Sequence, residues 1–442
     1  MKGVIFTYTL TILGAIISPF YPFFGLIIYI MFGVMYPPAL WFYSLTPTFL
    51  GSSFGYSEIV AYPMIIGWLI SGCGNLKLGP AKYSVICLAG FGLWAFLSVC
   101  VNPMSPMSQN QLLMLARLFL TVLIILTLCN SVKSIRYVVW ALIFAQGFVA
   151  YELNMSWIQG LNRMEVGYAG MDNNFFAVAM LVGSVLAFFE GLAQKKISLK
   201  LIAFAAAALQ AHVIMFSMSR GAMLGLCIVG VVSFMVLPKT GKSLCFLLLA
   251  AVMALYMAGP AVRARFATAF VNAEERDSSS QGRIEAWKRC IKTMGERPLF
   301  GVGIKNWLSY TTSHYRVHLE AHSTWMQTGA ETGIPGVLLL AGFFVCPLWL
   351  LLPYIRGVEE LPDPELRVYA QMTFVAVIGY CATAQFVSLY TMEIAYYTCT
   401  VGLLVLKLAH LHKLELEELE YEQYADGRAL DEDLSVPVAS GV

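Results

Sequence analysis

The feature that most constrains this chain is a succession of apolar runs, each long enough to cross, or nearly cross, a lipid bilayer. The thirteen runs cover residues 4–17, 23–35, 59–73, 83–100, 112–129, 137–152, 173–193, 201–217, 221–237, 244–259, 333–353, 368–388 and 393–409. A segment inside hydrocarbon has no water to bond its backbone, so it must form a helix or join a closed barrel. Runs of this length indicate helices. The sequence therefore predicts an all-α polytopic membrane protein.

The composition supports this class. Of the 442 residues, 59% are hydrophobic and 12% are charged, and the mean hydropathy is +0.71. Soluble domains are about one quarter charged. The first two apolar runs are short, and residues 39–50 could form a further short or re-entrant piece. We therefore expect about 12–14 transmembrane helices.

Basic residues in the loops predict the orientation of the chain. Four loops on one side by parity hold nine Lys and Arg residues, whereas three loops on the other side hold two, Arg163 and Arg220. The loops rich in basic residues are expected in the cytoplasm. Parity then places residues 260–332 outside, and segments longer than about 60 residues cross regardless of their charge.

These observations divide the chain into an N-terminal transmembrane bundle (1–259), a large external loop with short amphipathic helices (260–332), C-terminal transmembrane helices (333–410) and an acidic cytoplasmic tail (411–442). The loop holds ten Lys and Arg, seven Asp and Glu and three of the six histidines, so any chemistry is expected there. The tail carries nine acidic and two basic residues. We expect the last helix to extend into it and to end before Gly427.

Two classes of partner are not indicated. The charges are dispersed among loops instead of forming one basic face, so we expect no nucleic acid. The cysteines show no CxxC or Cys/His pairing. His314, His318 and His322 would share one face of a helix and so could bind a metal, but HLEAH is not HExxH. We expect neither a metal ion nor a cofactor.

The external loop contains a predicted surface helix. Apolar residues recur there at the spacing of one helical stripe, and Pro298 ends the pattern; the stripe is Ile284, Trp287, Ile291 and Met294. Such a helix would lie along the membrane surface. Arg283 falls in its first turn, where a positive charge opposes the helix dipole and needs an anionic partner. A guanidinium beside free backbone N–H groups suits phosphate oxygens.

Arg220 is the second candidate for phosphate binding. The sequence SMSRGAMLGL places it at a tight external turn between two apolar runs. A charge at that depth is costly unless it meets a partner or water, although snorkelling towards the headgroups is an alternative. Arg117, two turns into the 112–129 run, and Arg265, just beyond the 244–259 run, are weaker candidates by the same reasoning.

His322 is the candidate base. It opens the amphipathic segment HSTWMQTGAETG, which ends at Gly333 and Pro335. A helix N-terminus lowers the pKa of an imidazole, so this histidine would be neutral and able to accept a proton. A structural histidine that caps the helix is the alternative.

Two polar residues would support the site. Glu331, near the end of the same segment, would orient His322, hold Arg220 or face solvent as a surface acid. Asn173 belongs to an external polar cluster, DNN at 172–174, for which helix capping is the ordinary explanation.

Several of these residues lie in motifs that resemble those of the O-antigen ligase and polymerase superfamily. The motifs are SRGA at 219–222, QGRIEAW at 281–287, RPLFGVG at 297–303, and His322 followed by ETGIPG at 331–336. DNN at 172–174 and MYPPAL at 35–40 are closer to the branch of O-glycosylation ligases associated with the exosortase system. Together the motifs cover about residues 170–340, and the remainder matches in hydropathy alone.

The resemblance implies a GT-C-like membrane glycosyltransferase of the bacterial inner membrane, with its large loop in the periplasm. Such a protein transfers a glycan from a polyprenyl (undecaprenyl) diphosphate carrier to an acceptor hydroxyl, without metal or nucleotide sugar. The acceptor would be the lipid A core of lipopolysaccharide, another polysaccharide or a protein. By motif, Arg220 and Arg283 would bind the diphosphate and His322 would activate the hydroxyl. Ala321 precedes this histidine where the family sometimes has a second basic residue, so the role rests on His322.

Two other functions remain open at this point. A polymerase of the same superfamily would use another lipid-linked repeat unit as its acceptor. A flippase or transporter for lipid-linked sugar would belong to a different class, whose members tend to show broken helices and inverted repeats. Neither feature is visible in this sequence, and its charge is concentrated in one external loop.

Overall fold

The computed structural model describes residues 2–40, 55–257, 259–267 and 278–434. Within these ranges the regular structure is helical, apart from one isolated β-bridge between Tyr168 and Met171. The α-helices are α1 (Lys2–Ile17), α2 (Pro22–Met35), α3 (Tyr56–Ile70), α4 (Lys82–Val101), α5 (Pro106–Leu128), α6 (Val132–Ile158), α7 (Asn173–Ala193), α8 (Ile197–Phe216), α9 (Arg220–Val236), α10 (Gly241–Met257), α11 (Pro260–Ala267), α12 (Ser278–Glu296), α13 (Trp307–His314), α14 (Thr324–Arg356), α15 (Pro364–Thr383) and α16 (Glu393–Leu434).

The predicted fold class, an all-α polytopic membrane protein, is confirmed. Eight helices in the described ranges are long and apolar enough to cross a membrane, and three shorter helices are also apolar. Each of the thirteen apolar runs overlaps one of the helices α1–α10 or α14–α16. The total of 12–14 spans stays a prediction, because residues 41–50 of the possible re-entrant piece lie outside the described residues.

Two helices form the centre of the bundle. In the most apolar 18 residues of α7 and of α16, 83% are buried. Helix α7 packs against α6, α8, α9 and α15, while α16 packs against α5, α14 and α15. Helix α4 lies along α14, and the surface helix α12 also packs against α14. The N-terminal helices α1, α2 and α3 pack on one another and reach the centre through α6.

Polar caps fix where several helices begin. In each case the side-chain oxygen of the N-cap residue accepts a hydrogen bond from the backbone N–H three residues later. These caps are Ser105, Ser131, Asp172, Ser219 and Ser323. The caps of α7, α9 and α14 matter most here, since the starts of these three helices border the candidate site.

The last helix is longer than the sequence predicts. Helix α16 continues through Gly427 to Leu434, so the expected end before this glycine is wrong. One glycine costs only about 1 kcal/mol relative to alanine inside a helix. Ala425, Arg428, Ala429 and Leu430 on either side are good helix formers and outweigh that cost.

A buried lysine ties α16 to the bundle end that is predicted to be cytoplasmic. The Nζ atom of Lys407 donates hydrogen bonds to the carbonyl oxygens of Asn75 (2.9 Å) and Leu126 (2.5 Å) and to Oδ1 of Asn130 (2.8 Å). An ammonium group has three donors, and here all three are used. Lys407 thereby holds α16 against the α3–α4 linker and the end of α5.

Candidate functional site

Helix α14 is broken at Gly333. This residue has φ 74° and ψ −177°, a backbone conformation that residues with a Cβ atom rarely adopt. The next N–H group, of Ile334, donates to the carbonyl of Pro298 (2.8 Å) instead of continuing the helix, and Pro335 has no N–H to donate. The segment predicted to end at Gly333 and Pro335 does change direction there.

The break releases two carbonyl groups that the loop after α12 uses. The carbonyl of Ala330 accepts from the N–H of Val302 (3.0 Å), and that of Glu331 accepts from the N–H of Gly303 (2.9 Å). These bonds hold the RPLFGVG motif against the ETGIPG motif. The two motifs therefore form one brace, which fixes the end of α12 relative to α14.

Helix α4 supports the same brace from the other side. The indole N–H of Trp94 lies within hydrogen-bonding distance of the carbonyls of Leu299 (2.9 Å) and Thr332 (3.0 Å). The hydroxyl of Ser98 lies 2.6 Å from the carbonyl oxygen of Phe300. Backbone groups that the broken helix leaves open are thus satisfied inside the protein, as a membrane environment requires.

Glu331 belongs to this brace and not to the predicted cation site. Its side chain is 1% exposed, so the solvent-facing alternative is wrong. Its carboxylate accepts hydrogen bonds from the N–H of Trp307 (3.3 Å), from Nε2 of Gln327 (2.9 Å) and from the hydroxyl of Tyr390 (3.2 Å). These bonds anchor the start of α13 and the α15–α16 linker. None of them orients His322 or holds Arg220.

Helix α12 exists as predicted, but its buried face is different. Ala286, Cys290 and Thr293 are buried against the protein, whereas Ile291 of the predicted apolar stripe is 57% exposed. Small residues face α14 because the two helices approach closely there. The helix begins at Ser278, so Arg283 lies in its second turn and the argument from the first-turn dipole does not apply.

The turn between α8 and α9 is held by polar side chains. Met218 has φ 57°, an uncommon backbone conformation for a residue with a side chain. Nδ2 of Asn173 donates to the carbonyl of Ser217 (2.8 Å), and the hydroxyl of Ser219 donates to Oδ1 of Asn174 (2.8 Å). Nε of Arg265 lies 3.4 Å from the carbonyl oxygen of Met218. The start of α7 and the helix α11 therefore fix the position of this turn.

These elements enclose a cavity of about 180 Å³, which we call the arginine cavity. Its lining residues come from the starts of α7 and α9 and from α11 and α12; they are Asn173, Asn174, Met218, Arg220, Gly221, Arg265 and Arg283. Four of the seven predicted site residues thus meet in one cavity. The described lining residues include three guanidinium groups and two amides, which are groups that bind the oxygen atoms of anions.

His322 lies beside the arginine cavity without lining it. It immediately precedes the N-cap Ser323 of α14, so the segment does begin a helix here, and the alternative that His322 itself caps the helix is wrong. The histidine has φ 45°. Its neighbours fix this position: the N–H of Thr324 donates to the carbonyl of Ala384 (2.8 Å), and the indole of Trp287 donates to that of Ala321 (3.0 Å).

The surroundings of His322 lower its pKa. The largest cause is burial, which disfavours the charged imidazolium, and the positive charge of Arg283 acts in the same direction. Two acids oppose the shift: Glu320, whose Oε2 lies 3.7 Å from Nε2 of the histidine, and Asp172. The neutral form expected from the sequence is therefore favoured, with burial as the largest cause.

The comparison with known families agrees with these motifs. Residues 202–341 match the family described as O-Antigen ligase. This segment of 140 of the 442 residues is an O-antigen ligase domain. The matched segment includes Arg220, Arg265, Arg283 and His322, whereas Asn173 and the early loop precede it. No curated protein matches the chain. Within the superfamily, the association with the exosortase branch stays a prediction.

Two candidate groups in this O-antigen ligase homologue are not part of the cavity. Arg117 forms an ion pair with Glu58 (2.6 Å) between α5 and α3, and it is not among the lining residues. His314 is the last residue of α13, while His318 and His322 lie in the segment that follows, so they do not share one face of a helix. Among the described residues, no group of three His, Cys, Asp or Glu side chains could hold a metal ion.

Two residues outside the predicted set, Asn174 and Phe386, also shape the site. Asn174 lines the cavity, and the DNN motif was the signal that pointed to it. Phe386 lies between two of the site's helices: its ring centroid is 6.4 Å from that of Trp287, and a Cβ on Gly221 would lie 3.2 Å from its own Cβ. No local pattern indicates this role, because Phe386 belongs to an apolar run and its contacts are distant in sequence.

We predict that Gly333→Ala destabilises the protein by about 1–3 kcal/mol. The new Cβ would need the unfavourable φ of 74° and would meet the carbonyl of Leu299. Gly295→Ala is the matched control, because a Cβ there meets no atom within 4 Å, and alanine in this helix should be neutral or stabilising by up to about 1 kcal/mol. Thermal unfolding of the purified protein in detergent measures both. Equal midpoints for the two variants would show that the break is not a structural requirement.

Proposed function

We propose that this protein transfers a glycan from a polyprenyl diphosphate carrier to an acceptor hydroxyl at the periplasmic face of the bacterial inner membrane. Its family makes it a membrane protein of glycan ligation or polymerisation in general. The observation that carries the proposal is the arginine cavity, in which three segments far apart in sequence contribute Arg220, Arg265 and Arg283.

The arginine cavity suits the diphosphate of such a carrier. Guanidinium groups bind phosphate oxygens through paired, charge-assisted hydrogen bonds, and the Asn173 and Asn174 side chains add neutral amide groups. A diphosphate is already a good leaving group. Fixed positive charges that stabilise it as the glycosidic bond breaks therefore supply the main electrostatic help, without a metal ion.

His322 supports the other half of the reaction. In the proposed step, the acceptor oxygen forms a bond to the anomeric carbon while the bond from that carbon to the diphosphate oxygen breaks. The acceptor's proton passes to the neutral imidazole, and the bonding electron pair leaves with the diphosphate. A direct displacement of this kind inverts the anomeric configuration. The low pKa of His322 keeps the imidazole ready to accept a proton at neutral pH.

The arginine cavity gives the first prediction for this function. Arg220→Ala and Arg283→Ala should each reduce transfer by ~10²–10³, as removal of one preorganised transition-state donor does. Lys288→Ala is the control, because it removes a positive charge from the exposed side of the same helix as Arg283. The assay uses purified protein, lipid-linked donor and acceptor in detergent. Undiminished transfer by both arginine variants would refute the assigned diphosphate site.

His322 gives the second prediction. His322→Ala should lower the rate by ~10²–10⁴, the usual contribution of a general base, while His318→Ala on the exposed loop should not. The wild-type rate should fall as the pH drops below 6.5 through the lowered pKa of His322. Glu320→Gln removes a charge that raises this pKa, so the acid limb should move to lower pH. An unchanged pH profile in Glu320→Gln would contradict the assignment of that limb to His322.

The rival functions can be separated in cells. Deletion of a ligase leaves the carrier with full-length polymer, whereas deletion of a polymerase leaves it with single repeat units. A flippase would show no transfer in the purified assay. The acceptor, whether lipid A core, polysaccharide or protein, is identified by supplying each one to the purified protein with the same donor.

A further inference from the structure

A group of aromatic rings lies on the external segment, apart from the arginine cavity. The rings of Tyr310 and His314 stack with centroids 5.0 Å apart and an interplanar angle of 13°. The ring of Tyr315 meets His314 edge-on at 4.8 Å and Tyr310 at 5.8 Å. We call these three residues the aromatic cluster. Its members come from the end of α13 and the residue that follows it.

Cations surround the aromatic cluster. The guanidinium of Arg289 lies 5.0 Å from the Tyr315 ring centroid and Nζ of Lys292 lies 5.9 Å from it. The guanidinium of Arg297 lies 5.6 Å from the Tyr310 centroid. At these distances a cation is attracted to the negative face of the ring. Rings and cations therefore form one surface instead of two separate features.

The charge of this surface is positive after its ion pairs are counted. The cations at the cluster are Arg289, Lys292 and Arg297, and with Glu285 and Glu296 they leave a net charge of +1. Both acids are already paired, Glu285 with Arg289 (3.1 Å) and Glu296 with Lys292 (3.8 Å). An anionic ligand would therefore meet attraction here without displacing a buried partner.

The surface is also open to solvent. His314 is exposed, and the side chain of Lys292 is 63% exposed. One face of a pyranose ring presents C–H groups, which pack on the negative face of an aromatic ring. Carboxylate or phosphate groups on the same sugar would meet the neighbouring cations. A surface that combines aromatic rings with cations therefore suits a sugar chain that carries acidic groups.

We propose that the aromatic cluster and its cations bind an acidic sugar chain of one of the two substrates, an inference that rests on the proposed glycan transfer. Helix α12 links this surface to the arginine cavity. From Arg283 to Arg289 and Lys292 it rises about 9–14 Å at 1.5 Å per residue. A sugar chain whose first unit reacts beside the cavity therefore extends over the cluster, and this contact selects acidic glycans.

The test measures binding without requiring transfer. The full-length protein in phosphatidylcholine nanodiscs is titrated calorimetrically with oligogalacturonate and with a neutral malto-oligosaccharide of the same length. Wild type should bind oligogalacturonate more tightly. His314→Ala should weaken that binding roughly tenfold, equivalent to about 1.4 kcal/mol. His314→Phe keeps a stacked ring and should retain more of the affinity than His314→Ala.

Charge is tested on the same helix. Lys292→Gln should weaken binding of oligogalacturonate, whereas Lys288→Gln, an equal loss of charge one turn earlier, should weaken it less. Thermal unfolding of each variant shows that the fold is kept. Equal affinity of wild type and His314→Ala, or no binding of oligogalacturonate by wild type, would overturn the proposal. Binding of dihexanoyl phosphatidylglycerol in place of oligogalacturonate would assign the surface to lipid headgroups and overturn it too.

Kinetics separate this inference from the function on which it rests. If His314→Ala raises KM for the lipid-linked donor only, the donor's glycan occupies the surface, and if it raises KM for the acceptor only, the acceptor does. Unchanged KM values with normal transfer would refute the sugar surface and leave the transfer function intact. Loss of the function itself would appear as absence of transfer in wild type, whatever the calorimetry shows.

Discussion

The candidate site depends on one break in one helix. Without the backbone conformation of Gly333, α14 would continue, and the carbonyl of Ala330 would accept from the N–H of Ile334 within it instead of from Val302. The loop at 298–303 would then lose its partners, and the end of α12 would lose its anchor. Arg283, a candidate for phosphate binding, belongs to α12. Its position nevertheless depends on the break in α14.

A second constraint holds the arginines together. Arg220, Arg265 and Arg283 belong to three different helices, so their common position around about 180 Å³ depends on contacts between those helices. Polar contacts at the α8–α9 turn contribute to this, since Asn173, Asn174 and Arg265 all bond to residues 217–219. Met218 accepts an uncommon φ in the same turn. Such local strain is typical of sites whose geometry is fixed before a ligand arrives.

The sequence predicts the fold and part of the site, for separate reasons. Hydropathy determines the helices because hydrocarbon leaves the backbone few choices, and cations beside the predicted outer ends of apolar runs led to Arg220 and Arg265. Arg283 was selected by a first-turn dipole argument that its position in the second turn does not support. The buried face of α12 was wrong because periodicity cannot show that a second helix approaches the small residues Ala286 and Cys290 closely. Arg117 and Glu331 were predicted as site residues from their residue type and their position in the sequence. Their actual partners depend on packing between segments that are distant in sequence.

The arrangement also couples the two halves of the proposed reaction. The positive charge of Arg283 lowers the pKa of His322, and a bound diphosphate would offset that charge. The pKa of His322 should then rise, so the imidazole becomes a stronger base when the donor is in place. The pH dependence of kcat reports the donor-bound protein, and that of kcat/KM for the donor reports the free protein. We therefore expect a higher apparent pKa in the kcat profile, and identical values would show that Arg283 does not link donor binding to the basicity of His322.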